Sequence, residues 1–176
     1  MLKTIATLVV LAIAVVLVLA WTKPDSFRVQ RQITIQAPPE KVFALINDLH
    51  QWQAWSPWEK KDPAMQRTHS GAASGKGAAY AWSGNKNVGS GRMEIIESVP
   101  PSSVRIQLDF ITPFEGHNTA EFTLQPEGTG TTVTWAMYGP TPFISKLIQV
   151  FLSFDKMIGD DFQSGLDSMK ALAERP

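Results

Sequence analysis

The chain has no cysteine among its 176 residues. Disulfides, thiol nucleophiles and thiolate metal sites are therefore excluded, while the redox compartment stays undetermined. Histidine is scarce: His50, His69 and His117 are scattered, with no HExxH or His-x-His spacing, so nothing in the sequence supports a metal site or calls for a cofactor. Net charge is absent too. The 16 Lys and Arg balance the 16 Asp and Glu, and the two signs are interspersed, which argues against nucleic acid as a partner because phosphate binding needs a basic patch or stripe. Internal repeats and low-complexity runs are missing. So are complete catalytic and nucleotide motifs. The stretch Gly71-Ala72-Ala73-Ser74-Gly75-Lys76-Gly77 has the wrong spacing for a phosphate loop, and Gly89-Ser90-Gly91 has no helix after it. Ser56, Ser145 and Ser153 lack a G-x-S-x-G elbow.

Charge is also absent from one long run. Residues 4 to 22, TIATLVVLAIAVVLVLAWT, carry none, and a span of about 20 apolar residues matches roughly 30 Å of hydrocarbon. Trp21 and Lys23 would mark the interface. Two readings fit: a retained single-pass anchor, and a signal peptide cut after Val18-Leu19-Ala20 that releases an exported form. The anchor is the better match, because the run exceeds a typical signal core of about 7 to 15 residues and bulky Trp21 follows the cut directly. The side of the membrane stays open: Lys23, Arg28 and Arg31 favour a cytoplasmic domain, whereas so short a leading tail favours export. The organisation expected is thus an anchor at 1–22, a linker at 23–26 and one domain at 27–174.

From Phe27 to Gln36, apolar and polar residues alternate as in a half-buried strand, and only Arg31 interrupts the apolar face. Ala37-Pro38-Pro39 ends it, and a helix opens at Pro39 or Glu40 with Val42, Phe43, Ile46 and Leu49 on one side. Trp52, Trp55 and Trp58 recur every three residues, as a short second helix or turn would place them. Six further strands are expected at 65–69, 77–83, 91–99, 103–111, 118–125 and 131–138, separated by Gly and Pro turn signals. Ile144, Leu147, Ile148, Phe151, Phe154, Ile158, Phe162, Leu166, Met169 and Leu172 then follow helical spacing, with a break expected near Gly159. Strand, two helices, six strands and a long helix make an α+β architecture: a curved antiparallel sheet of about seven strands gripping the C-terminal helix.

The space between sheet and helix is the candidate ligand site. Strand parity and helical spacing aim Tyr80, Trp82, Met93, Phe110, Phe122, Trp135 and Met137 from the sheet, and Phe151, Phe154, Ile158 and Phe162 from the helix, toward one another. Trp52, Trp55 and Trp58 would close its mouth or touch lipid. Packed core is the default for the eleven sheet and helix residues, and core or interface anchoring is the alternative for the three tryptophans. Glu115, His117 and Asp109 are the ionisable groups an enzyme would use here, though no convincing catalytic set forms.

The segments RQITIQAPPEKVFALINDLHQWQAWSPW, GKGAAYAWSGN, VGSGRMEIIESVP, GTTVTWAMYG and DKMIGDDFQSGLDSMKALAE resemble the bacterial SRPBCC group, the polyketide cyclase/dehydrase and lipid transport proteins of the START-like helix-grip superfamily. The resemblance covers nearly all of residues 27 to 174. It implies a sheet wrapped around the last helix and an apolar ligand, a lipid or other hydrophobic small molecule, held between them. Trp55, Ser56, Pro57, Trp58, Trp82, Gly89, Gly91, Trp135, Gly165 and Leu166 match as determinants of fold and cavity mouth, not of chemistry. Three functions follow as expectations: a membrane-tethered binder of an apolar molecule, a cyclase-, dehydrase- or hydrolase-type enzyme using the same cavity, and a non-catalytic interaction module with a filled interior.

Overall fold

The computed structural model describes residues 2–175. Helix α1, Leu2–Trp21, is long and apolar enough to cross a membrane, and only Ala20 along it is buried. A short polar segment then leads into strand β1, Ser26–Ile35. Helix α2, Pro39–Asn47, starts on a proline whose missing N–H costs nothing in a first turn. A 3-10 turn, Leu49–Ala54, and a short helix α3, Pro57–Lys61, follow it. The next six strands are β2 Gln66–Gly71, β3 Ala78–Ser83, β4 Ser90–Val99, β5 Ser103–Thr112, β6 Gly116–Glu127 and β7 Gly130–Pro140. They form one antiparallel sheet in the order β1-β7-β6-β5-β4-β3-β2, with β1 closing back on β7.

The chain ends in two helices, not one. Helix α4, Phe143–Phe151, stops at Leu152, and α5, Phe154–Ala173, restarts with the Ser153 side chain accepting from the Lys156 backbone N–H. The expected break near Gly159 is therefore displaced to 152–153, and α5 runs unbroken through Gly159. Gly159 has a different purpose. A Cβ there would sit 1.9 Å from the Arg31 guanidinium, which lies against the helix and holds Asp155 at 2.9 Å. The charged residue in the apolar face of β1 and the glycine inside an amphipathic helix are two halves of one contact. Gly165 has a similar role, since a Cβ there would press on the Trp135 ring at 2.8 Å and on Pro57 at 3.0 Å.

Alternation along each strand aims one face at α5 and α2. Val29, Met137, Ala120, Ile106 and Ile95 sit side by side in register, and all are buried. Arg31, Trp135, Phe122 and Val104 form the neighbouring row. Together with Ile35, Val133 and Leu124 they pack on Val42, Ile46, Phe162, Leu166 and Met169, the helix-grip arrangement in which one sheet face is buried by helices and the other is solvated.

Candidate functional site

The concave face of the sheet divides into a filled part and an open part. In the filled part, Trp135 stacks on Phe162 with centroids 4.1 Å apart and on Phe122 at 4.8 Å, while Trp52, Trp55 and Trp58 meet Trp135 edge-on at 6.3, 5.5 and 5.7 Å. Offset and edge-to-face pairs of this kind contribute roughly 0.5–1.5 kcal/mol each beyond area burial. Two of the indole N–H groups close off α2: Trp52 Nε1 donates to the Ile46 carbonyl at 3.0 Å and Trp55 Nε1 to that of Leu45 at 2.9 Å. These carbonyls belong to the last turn, which has no helical partner of its own. Of the two readings open for Trp52 and Trp55, a cavity mouth or lipid contact and ordinary core, their burial favours core: they lie at its centre.

The open part lies toward the end of the sheet where β1 begins. Leu108, Met93 and Tyr80 form one row across β5, β4 and β3, and Phe110, Gly91 and Trp82 the next. Glycine at 91 is a packing requirement: a Cβ there would stand 2.5 Å from the Trp82 ring, which reaches across β4 to meet Phe110 edge-on at 5.8 Å. Trp82 Nε1 donates to the Val88 carbonyl at 3.1 Å, fixing the indole. Trp82, Val88, Leu108 and Phe110 are only half-buried, because α5 packs chiefly on β1 and the Trp135 side of the sheet; Trp58, edge-on to Trp135 and Phe162, and Ile158 on α5 are half-buried at the margin between the two parts.

Of the residues proposed to line a cavity, Trp52, Trp55, Phe122, Trp135 and Phe162 are thus core. Tyr80 and Met93 form the buried floor of the shelf and Trp82 and Phe110 its half-buried surface; Met137 is buried in the next row, and Trp58 and Ile158 are half-buried at its margin. Phe154 packs edge-on against Phe27 at 5.9 Å. Phe151 is not in the wall. It ends α4 and is 72% exposed, because the helix break at Leu152 and Ser153 follows it directly and separates α4 from α5.

One polar group borders the shelf. Tyr80 Oη donates to Glu59 Oε1 at 2.8 Å, and Arg67 Nε donates to Glu59 Oε2 at 2.7 Å. The Glu59 side chain is only 8% exposed, so charge and pairing are both buried under α3. Burial first, and then the carboxylate beside it, push the Tyr80 phenol well above its ordinary range and keep it a neutral donor. Next to it His69 stacks on His50 at 4.1 Å and leans on Tyr80 at 4.9 Å. Burial, followed by the His50 ring, lowers the His69 pKa. Sequence reading passed over Glu59 and Arg67, for they are eight apart on a helix and an edge strand and match no motif spacing; only the inward parity of Arg67 beside Trp82 marks it.

Asp109, His117 and Glu115 do converge, but elsewhere. His117 Nδ1 lies 2.7 Å from Asp109 and Nε2 3.6 Å from Glu115. Asp109 alternates with Leu108 and Phe110 and so projects from the opposite face of the sheet. His117 and Glu115 are largely solvent-exposed, which gives this trio no apolar chamber to work in. The hydrogen bond to Asp109 raises the His117 pKa. Among the described residues no group of three or more His, Asp or Glu is arranged to hold a metal ion.

Comparison with known proteins agrees with this topology. Similar solved structures include protein CV1439 from Chromobacterium violaceum, with TM-score 0.60 and 18% identity, covering 88% of this chain and all of that one. Protein MLL2253 from Mesorhizobium loti gives 0.58 and 19%, covering 84% of this chain and 95% of that one. The di-domain ARO/CYC BexL gives 0.62 and 15%, covering 90% of this chain and 53% of that longer protein. At such identities the likeness is one of fold. No curated protein is similar enough in sequence to count as a relative. The family model described as polyketide cyclase / dehydrase and lipid transport matches residues 26–174, nearly the whole domain, and the chain belongs to that family.

Proposed function

We propose that the domain binds an apolar small molecule or lipid on the open shelf of its concave face while α1 tethers it to a bilayer. The observation that carries this reading is the half-buried surface of Trp82, Leu108, Phe110, Trp58 and Ile158. A fold able to bury its aromatics around Trp135 leaves Trp82, Leu108 and Phe110 partly uncovered on β3 and β5 of the same sheet face, with Trp58 and Ile158 at the margin. Isolated exposed apolar residues are ordinary, but a concave run of them that continues a core favours a ligand of the same character. The binding role rests on family membership and on this surface; the tether rests on the length and composition of α1. Purification of the full chain, followed by solvent extraction and mass spectrometry, tests it: an apolar compound should co-purify and be depleted in Phe110→Asp. Recovery of none, or of equal amounts from both proteins, would count against the reading.

A catalytic reading is favoured by one feature, the Tyr80–Glu59–Arg67 group at the rim. A neutral phenol beside an apolar shelf can donate to a substrate carbonyl if its single O–H turns from Glu59 to the substrate, in keeping with the cyclase and dehydrase members of the family. Tyr80→Phe would then abolish turnover while leaving binding of the apolar molecule intact. Under the binding reading it leaves retention of the co-purified compound unchanged and no turnover is found.

A further inference from the structure

Helix α4 has a strict division of its surface. On a helical projection Phe143, Ile144, Leu147, Ile148, Val150 and Phe151 occupy one side and Ser145, Lys146 and Gln149 the other. The polar side is turned inward. Lys146 is only 11% exposed and pairs with Asp25 in the segment leaving α1, and the Thr141 N–H donates to the Asp25 carbonyl at 2.7 Å. The apolar side is only partly covered: Leu147, Ile148 and Val150 are half-buried, whereas Phe143 is 44% exposed, Ile144 51% and Phe151 72%, and no residue of α4 is buried.

What covers that side is indicated by the neighbour of α4, which is α1. Between residues 2 and 23 only Val16, Ala20 and Lys23 are half-buried or buried, a stripe spaced by four and three that restricts close contact to the last turns of α1. At 1.5 Å per residue, Val16 lies about 7 Å deeper than Trp21, within the roughly 5–10 Å at which amphipathic helices rest in the headgroup and acyl boundary. The hairpin between β5 and β6 turns at the same end of the sheet, since Phe110 pairs with Gly116 there and β1 starts opposite the end of β7. Its tip carries Ile111 and Phe114, the latter 60% exposed. Among the described residues beyond α1, nine large apolar side chains are exposed, and all but Ile96 and Val99 belong to this hairpin, to α4, to the α4–α5 link or to the start of α5. A second copy of the chain would have to displace the lipid that α1 already brings to this end, so a bilayer is the occupant the arrangement favours.

We propose that α4 and the tip of the β5–β6 hairpin lie in the interfacial region of the bilayer crossed by α1, holding the open shelf against lipid. The proposal rests on the tethering part of the function proposed above. Because the chain lacks cysteine, single spin labels can be placed on the full protein without removing any residue. Ile144→Cys, Phe114→Cys, Val10→Cys and Val99→Cys, each reconstituted in phosphatidylcholine/phosphatidylglycerol vesicles, are compared by collision with oxygen and with a water-soluble nickel chelate. The expected result is a deep label at 10, labels at 144 and 114 several-fold more accessible to oxygen than to nickel, and an aqueous label at 99. A deep label at 10 with aqueous labels at 144 and 114 overturns the docking proposal and leaves the tether standing. An aqueous label at 10 overturns the tether and the docking with it. Labels at 144 and 114 shielded from both reagents mean a protein contact, a second copy included, and also overturn the proposal. Circular dichroism of each variant confirms that the fold is retained.

Discussion

The two parts of the concave face obey the same alternation of apolar and polar residues but differ in what lies above them. Around Trp135, α5 and the 3-10 turn press five aromatic rings into mutual contact; around Phe110 the side chains of Trp82 and Leu108 pack at the margin of that core and stay half-buried. A sheet face made apolar by strand parity is therefore not a core until a helix covers it, and the helix here stops short. Residues that continue the α5 pattern backward, from Phe151 to Ile144, are diverted into α4 by the break at Leu152 and Ser153. The uncovered part is where we propose that a ligand binds.

The contrast is broken most directly by truncating one ring in each part. Phe162→Ala should cost about 3–5 kcal/mol in urea unfolding, because a closely packed stack loses its partner and leaves a cavity. Phe110→Ala should cost under about 2 kcal/mol, since its ring is half in water already, and should lower retention of the co-purified apolar compound instead. Equal destabilisation by both would mean that the shelf is as closed as the core.

The rim offers a second way to sharpen the difference. Glu59→Gln leaves the Arg67 guanidinium without a counter-charge in a buried setting, and a loss of about 2 kcal/mol in the same assay is expected. Smaller still is Gly159→Ala. Removing glycine from a helix interior favours folding by about 1 kcal/mol, but the added methyl displaces Arg31 and breaks its pair with Asp155, so the net change should be a modest loss of thermal stability. A gain would show that the Arg31 contact contributes nothing.

Least in size are the pH effects, which oppose each other. The folded pKa of His69 is lowered from 6.5, so the unfolded chain binds the proton more readily and stability falls as pH drops below about that value. The folded pKa of His117 is raised from 6.5, so its contribution is complete below that value and is lost as pH rises through the raised pKa. Melting temperatures between pH 5 and 8 (roughly the histidine window) should flatten on the acid side in His69→Gln and on the alkaline side in His117→Asn.

Much of the fold is legible in the sequence. All seven strands appear within two residues of where alternation and turn signals place them, because strand period and glycine or proline punctuation are local properties. The helix break is misplaced because glycine is read as a breaker, whereas Gly159 answers to Arg31, more than a hundred residues away in sequence. The real break carries its own local sign, Ser153 as an N-cap with Asp155 in the first turn, outweighed by the continuous apolar spacing on either side. Of the site, parity gives the shelf residues Trp82 and Phe110 but not their difference from Trp135 and Phe122, since period two says which face a side chain joins and not whether a helix lies over it. The Glu59–Arg67–Tyr80 group is invisible for the same reason, being assembled by α3 folding over the sheet edge.

The central claim, that the uncovered part of the concave face takes an apolar molecule, is tested most directly by photolabelling the full chain in vesicles with a long-chain alkyl diazirine and mapping the adducts by mass spectrometry. Beyond α1, the account predicts adducts on peptides carrying Trp82, Leu108, Phe110 and Ile158, competed by excess of the co-purified compound. Adducts confined to α1, or spread over outward residues such as Glu94 and Glu121, would contradict it.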